Sequence, residues 1–229
     1  MNPAIKQGWL VMNSGAGDGA FNMACDEALL EARPRLGQAG LRFYGWTEPA
    51  ATFGYFQKFA EVERATLRRP LLRRPTGGGI VPHDADWTYS LVFPAGHEWH
   101  RLRAEESYRR AHAWIQAALA RLGVATELAG ACQKSAPGQC FVGHEKFDLL
   151  WHGRKIAGAA QRRNRLGLLI QGSVQPPPLP LLRADWEQAM IATAAPSAWT
   201  PFVPDGPLLA RVAELRAQKY SQRAYHQKR

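Results

Sequence analysis

Three consecutive glycines, Gly77, Gly78 and Gly79, lie between two apolar segments, 71–74 and 87–93, that both read toward β-strand. A glycine triplet reaches φ > 0 and lets the backbone approach a ligand or another strand closely, which residues carrying a Cβ rarely do. The surrounding string, RRPTGGGIVPHDADWTYSLVF at 73–93, is the most distinctive in the chain. It lacks the Gly-Lys-Ser/Thr ending of a Walker loop, and it does not open a helix as a dinucleotide-binding G-x-G-x-x-G does. Arg73 and Arg74 stand ready to grip a phosphate, a carboxylate or an acidic protein surface. A plain glycine-rich hairpin is the competing reading.

Periodicity places the other elements around this loop. Residues 18–33 predict an amphipathic helix capped by Asp18, with Phe21, Cys25, Ala28, Leu29 and Ala32 on one face and Pro34 ending it. Strands are expected at 41–46 and 51–56, and a short helix at 61–69. A long helix follows at 104–122, closed by Gly123. Residues 124–128 read as a short strand and 129–143 as a loop. Strand, turn and strand then run from 147 to 160 around His152-Gly153, and a further strand covers 166–174. Two helical stretches, 180–193 and 207–220, end the chain. Strands, an inserted helix and strands again predict an α+β fold.

The composition suits such a fold. With 229 residues, 46% hydrophobic and 21% charged, the chain can bury its own core without metal or disulfide staples. Its apolar runs are far shorter than the ~20 residues of a membrane span, and its N-terminus has no apolar h-region. A cytoplasmic protein with no membrane association is expected. Three cysteines are too few and odd in number for a disulfide framework. The net charge of +10 is scattered, apart from LRRPLLRR at 67–74 and RKIAGAAQRRNR at 154–165. No nucleic-acid reading motif accompanies it, so no nucleic-acid partner is expected. An acidic protein partner fits better, because a basic surface accelerates that encounter.

A second string, GQCFVGHEKFDLLWHGRKIAGAAQRR at 138–163, contains the reactive side chains. Cys140 lies among glycines and near basic residues, a setting that favours a thiolate; buried packing is the alternative. Cys25, on the apolar face of the first helix, reads as packing. Cys132, Cys140 and His144 lack a C-x-x-C pair, so no metal site is expected. Lys155 precedes small residues, including Gly158 and Ala159, which leave room for an acyl chain or a close backbone; an exposed lysine at a turn is the competing reading. His83-Asp84 reads either as an oriented imidazole or as a polar turn. No G-x-S-x-G elbow occurs.

Taken together, the two strings resemble the biotin/lipoate protein ligase A/B family over most of the chain, from Trp9 to Val174. RRPTGGGIVPHD is similar to the family's arginine–glycine-rich acyl-binding segment, and RKIAGAAQ to its lysine motif. NMACDEALLEA and TFGYFQ also match in order. The resemblance implies a mixed β-sheet domain with flanking helices over residues 1–180, and a helical extension of the same domain over 181–229. It places Lys155 at the family's active lysine. It also puts Arg73, Arg74, Thr76, Gly77, Gly78, Gly79, His83, Gly158 and Ala159 around the substrate. Cys140-Phe141 precedes Lys155 by fifteen positions, as in the family's cysteine-dependent octanoyltransferases. Gln171-Gly172 stands where the family usually has His-Gly.

The implied activity is octanoyl transfer from acyl carrier protein to a lipoyl-domain lysine, through an acyl-Cys140 thioester. The acceptor would be a glycine cleavage H protein or a 2-oxoacid dehydrogenase E2. No cofactor is then required, and a monomer is expected. The alternatives are an ATP- and Mg-dependent lipoate–protein ligase, and a non-catalytic binder of lipoyl domains or acyl carrier protein.

Overall fold

A computed structural model of the chain describes residues 7–134, 143–194 and 198–229. Thirteen strands are described: β1 (Trp9–Gly17), β2 (Ala39–Trp46), β3 (Ala50–Phe53), β4 (Leu71–Arg73), β5 (Val81–His83), β6 (Trp87–Pro94), β7 (Glu127–Leu128), β8 (Gln133–Lys134), β9 (Gly143–His144), β10 (Leu149–Trp151), β11 (Arg154–Asn164), β12 (Gly167–Val174) and β13 (Trp199–Pro201). The helices are α1 (Gly19–Leu36), α2 (Phe59–Ala65), α3 (Glu98–Arg101), α4 (Ala104–Arg121), α5 (Arg183–Thr193), α6 (Gly206–Leu215) and α7 (Arg223–Gln227), with a π-helical turn at Arg216–Tyr220.

Eight strands form one mixed sheet in the order β13-β1-β2-β6-β12-β11-β10-β7. β1 runs parallel to β13 and β2, and the remaining neighbours are antiparallel. A small sheet, β4-β3-β5, lies beside it, and β8 pairs with β9. The fold is the expected α+β arrangement of a mixed sheet with flanking helices. Residues 181–229 supply α5, α6 and α7, and also the strand β13 at the edge of the main sheet.

Both faces of the sheet are covered, and its strands sort their side chains accordingly. In β6, Trp87, Tyr89, Leu91 and Phe93 face the core cluster that contains Ile115, Ala118 and Leu119 of α4 and Trp186 of α5. Trp186 is fully buried, with ring centroids 5.4 Å from Phe43 and Trp87. The opposite face packs Val92 and Leu169 against Met23, Cys25 and Leu29 of α1 and Leu208 and Val212 of α6. That second face is only partly apolar. Register across the strands sets Arg42 beside Ser90 and Ser90 beside Gln171, with Tyr44, Thr88 and Ser173 in the neighbouring row.

Asp26 of α1 meets this polar row. It is fully buried, and its carboxylate accepts from Arg42 at 2.7 Å, Ser90 at 2.8 Å, Gln171 at 2.7 Å and Tyr44 at 3.1 Å. Cys25, one position earlier, is buried as expected, and burial pushes its thiol pKa up. Helix α1 starts as predicted, with Asp18 accepting from the Phe21 amide at 2.8 Å, but it runs past Pro34 to Leu36. A proline in the last turn forfeits a single amide bond. Buried Arg33 ties that turn down by donating to the carbonyls of Leu29 and Gln38, and Gly37, at φ 68°, closes it.

Strand β3 stops at Phe53, short of the predicted 51–56. A Cβ on Gly54 would collide with the Gly78 carbonyl, so the chain turns there against the glycine triplet. Among the described residues, no helix is long and apolar enough to cross a membrane. Removing the Asp26 carboxylate strands a buried guanidinium, which typically costs about 3–5 kcal/mol. Asp26→Ala is therefore expected to lower the urea midpoint by a corresponding amount. Asp26→Asn, which keeps an acceptor for part of the network, is expected to lower it less.

Candidate active site

A pocket opens between the two sheets on the α1 side. Its floor is the row Thr88, Ser173 and Gly158, with Gln171 and Ala160 beside it; its roof is Thr52, Val81 and His83 of the small sheet, together with Arg74. Met23, Tyr44 and Trp46 close one side, and Lys155 and Ala159 also line it. Small residues at 158–160 keep the floor low.

Lys155 enters at the foot of β11, where it pairs with Leu150 next to an irregularity in the ladder. The hairpin before it turns through His152 and Gly153, both at positive φ. The Lys155 ammonium lies 2.7 Å from an oxygen of Asp148, and both side chains are buried. A Cβ on Gly158 would come within 2.8 Å of Lys155 Nζ, so the bare glycine is what lets the lysine lie across the strand. Asp148 also accepts from the Tyr108 hydroxyl and from the Glu145 amide. Three donors, Lys155 among them, thus converge on Asp148 and fix the lysine side chain in place.

Arg74 projects from the loop after β4. It donates to Thr76 Oγ1 at 3.2 Å, to Thr52 Oγ1 at 3.4 Å and to the Gly77 carbonyl. Thr76 in turn donates to Gln171 Oε1 at 2.7 Å, and Gln171 donates onward to Asp26. Thr76 therefore acts behind the wall rather than in it. The triplet is not part of the lining either: Gly78, at φ 84°, is exposed, and Gly77 is held through its carbonyl by Arg74.

Arg73, expected beside the substrate, points the other way. Its guanidinium donates to the carbonyls of Tyr55, Gln57 and His226, and its amide to His226 Nδ1. Alternation along β4 puts neighbouring arginines on opposite sides, so Arg73 binds the C-terminal helix α7 to the turn after β3.

His83 lines the roof, but its partner is not Asp84. Asp84 is half exposed and pairs with Arg68 on the surface. The carboxylate that meets His83 Nδ1, at 2.9 Å, is buried Asp86. Asp86 Oδ2 also accepts from Ser173 at 2.7 Å and Thr88 at 3.1 Å. A carboxylate only accepts, so Nδ1 donates to it, and Nε2 lies 2.8 Å from Thr52 Oγ1, whose hydroxyl it accepts from when the ring is neutral. The imidazole stacks on Trp46 with centroids 3.9 Å apart. Sequence pattern does not mark Thr52, Asp86, Asp148 and Trp46 as site residues; the signal available for Asp86 is its place three residues after His83, at the start of the Asp86-Trp87-Thr88 run. Cys140 and Phe141 lie outside the described residues.

Residues 18–175 match the family model of the lipoyl protein ligase A/B catalytic domain. The chain is 35% identical over 181 residues to octanoyltransferase LipM of Kyrpidia tusciae, covering 73% of this chain and 66% of that one. It is 37% identical over 174 residues to octanoyltransferase LipM of Carboxydothermus hydrogenoformans, covering 72% and 64%. The matched region thus spans slightly less than two thirds of these relatives' length. Among solved structures, a lipoate-protein ligase A bound with ATP superposes with a TM-score of 0.77 at 19% identity, covering 97% of this chain and 99% of that one. A bi-partite lipoate protein ligase from Thermoplasma acidophilum gives 0.69 at 18% identity, covering 97% and 96%. At these identities the structures show a shared fold.

Behind Lys155, on α4, His112 is fully buried against Tyr108, with ring centroids 4.2 Å apart. Neither ring nitrogen has a hydrogen-bond partner among the described residues. Burial, reinforced by the charge of Lys155, pushes its pKa down to about 3. The unfolded chain therefore binds this proton first, so the stability contribution is complete above about pH 6.5 and is lost as pH falls toward 3, at up to about 1.4 kcal/mol per pH unit. His112→Phe is expected to flatten the drop in melting temperature between pH 7 and pH 4, measured beside the wild type in matched buffers.

Proposed function

The chain belongs to the lipoyl protein ligase A/B catalytic-domain family, and from that premise we propose that it moves an octanoyl group from acyl carrier protein to a lysine of a lipoyl domain. The observation that carries this reading is its similarity to octanoyltransferases, joined to the Cys140-Phe141 and Lys155 spacing they imply. In this reading the Cys140 thiolate attacks the carrier thioester and forms an octanoyl-enzyme. The acceptor amine then attacks that thioester and leaves with the acyl group as an amide. Splitting one transfer into two steps on an intrinsically nucleophilic sulfur is ordinary covalent catalysis.

Lys155 is the donor for the carbonyl oxygen as charge develops on it. The ion pair with Asp148 fixes the side chain in place, and Lys155 lines the pocket. A positioned donor of this kind typically contributes ~10²–10³ in rate. The enclosed space is about 40 Å³ here, too small for an eight-carbon chain, so binding widens it. Met23 is the wall residue suited to give way, being unbranched and polarizable. Each methylene buried then adds roughly 0.8 kcal/mol. The thioester supplies the driving force, so the reaction needs neither ATP nor a metal. The net charge of +10 suits acidic carrier and lipoyl domains, whose approach it accelerates at low ionic strength.

Intact mass of the protein after mixing with octanoyl–acyl carrier protein, without ATP, tests the reading. An octanoyl adduct is expected on the wild type and not on Cys140→Ala, discharged when a lipoyl domain is added. Lys155→Ala is expected to slow adduct formation ~10²–10³-fold. Modification of the lipoyl domain only when free acid and ATP are supplied would move the chain to the ligases.

A further inference from the structure

Resting on the acyl-transfer reading above, we propose that a basic rim at one end of the pocket, formed by Arg162, Lys219, Lys228 and Arg229, binds the phosphodiester of the acyl carrier's phosphopantetheine arm and so docks the donor. Positive charge is concentrated in this part of the chain. Residues 216–229 hold five basic side chains and no acidic one, half of the net charge of +10. Arg73 fixes where this segment lies, because its guanidinium donates to the His226 carbonyl. The Phe59 amide donates to the carbonyl of Arg229 at 2.8 Å. Lys228 and Arg229 are thereby held against the turn after β3, with their side chains exposed.

The rim begins one step beyond the pocket lining. Ala160 lines the pocket, and Arg162, two residues along β11, faces the same side, opposite Leu169 of the α1-side cluster. Met23 lines the pocket too, and Glu27 lies one turn further along α1. Buried Glu27 accepts from Arg162 at 3.0 Å and from Lys219 at 2.5 Å. Among the described residues it is the one carboxylate paired with any of the four cations. Across the mouth, the Tyr55 amide donates to the Thr76 carbonyl. Lys228 Nζ lies 4.1 Å from the centroid of the Tyr55 ring, and the Arg229 guanidinium 5.2 Å from it. The phenol of Tyr55 feels both sides of the rim: a hydrogen bond from Lys228 and its charge pull the pKa down, and Arg229 and Arg162 add to the effect.

Reach selects the donor over the acceptor. The Lys155 ammonium lies against Gly158, and from Gly158 to Arg162 the strand runs roughly 13 Å at about 3.3 Å per residue. A lysine side chain spans only about 6 Å, so an acceptor domain that presents its amine to the thioester sits over Lys155 itself. In a phosphopantetheine arm about thirteen bonds separate phosphorus from sulfur, roughly 16 Å when extended. With the thioester at Lys155, the phosphodiester then falls among the side chains of the rim. The acyl chain lies across the strands, along the row Gly158, Ser173 and Thr88, while the arm follows β11. A phosphodiester stays charged across neutral pH, and lysine and arginine bind its oxygens through charge-assisted hydrogen bonds.

Binding to the full chain tests the assignment apart from the chemistry. The donor is offered as holo-carrier, which has the arm but no acyl group, and as apo-carrier, which lacks the arm. Wild type is expected to bind the holo form about 10-fold more tightly, and free phosphopantetheine is expected to compete where pantetheine does not. Lys228→Gln/Arg229→Gln removes two charges from exposed side chains and keeps the main-chain bond to Phe59. It is expected to lose most of the preference at an unchanged melting temperature, and Lys228→Glu/Arg229→Glu to lose all of it. Equal affinity of the wild type for the two carriers, a preference kept by both double variants, or an equal weakening toward a lipoyl domain would each overturn the assignment and leave the transfer reading in place. A wild type that shows the preference but forms no octanoyl adduct with octanoyl-carrier would overturn the transfer reading and leave the docking site standing.

Discussion

Everything around the pocket is hung on the Asp26 carboxylate. It is a full charge placed where no water reaches, beneath a sheet whose other face is packed with aromatic side chains. Such a charge is tolerable only when opposite charge and hydrogen bonds replace its hydration. Arg42 supplies the charge, and Ser90, Tyr44 and Gln171 complete the shell. These donors come from β2, β6 and β12, so a single side chain of α1 fixes the helix against three strands. Apolar packing alone permits small slips between a helix and a sheet, whereas four directional bonds to one carboxylate do not.

The same network reaches the pocket wall. Gln171 receives from Thr76 while donating to Asp26, and Thr76 receives from Arg74. A neutral histidine, the residue usual at this position in the resembled family, could likewise donate on one side and accept on the other. Glutamine makes that span without a group that titrates near neutral pH. His83, on the other side of the pocket, has a partner at each ring nitrogen, while His112 behind Lys155 is held neutral by burial. The two basic side chains of the pocket, Arg74 from the loop after β4 and Lys155 from β11, are held by Thr76 and by Asp148.

Much of this architecture is written in local pattern. The 3.6-residue period gave away α1 and α4, Gly123 marked the end of α4 at φ 76°, and His152-Gly153 marked the tight turn before Lys155. The small residues after Lys155 pointed to a low floor, because a bare backbone is visible in sequence as glycine and alanine. Adjacency misled where strands alternate. Asp84 is next to His83 but lies on the surface, while Asp86, three positions from the histidine, turns inward; Arg73 and Arg74 are consecutive and face opposite sides. Pro34 suggested a helix end because its missing amide is a local fact, and the Arg33 side chain that ties down the last turn is not. Strand β1 passed unnoticed, since it gains its place by pairing with β2 and β13 and has no clean alternation of its own.

By itself the sequence determined the α+β class, the order of the principal elements, the glycine triplet and the Cys140–Lys155 spacing, because each depends on residues close together in the chain. Tertiary structure alone decided which polar groups meet. Thr52, His83, Asp86 and Ser173 converge from β3, β5, the turn before β6 and β12, and Lys155 meets Asp148 across a hairpin. Those meetings are set by strand register and by the cost of leaving a buried charge or hydroxyl without a partner. Both are properties of the packed sheet, which no single segment of the chain contains.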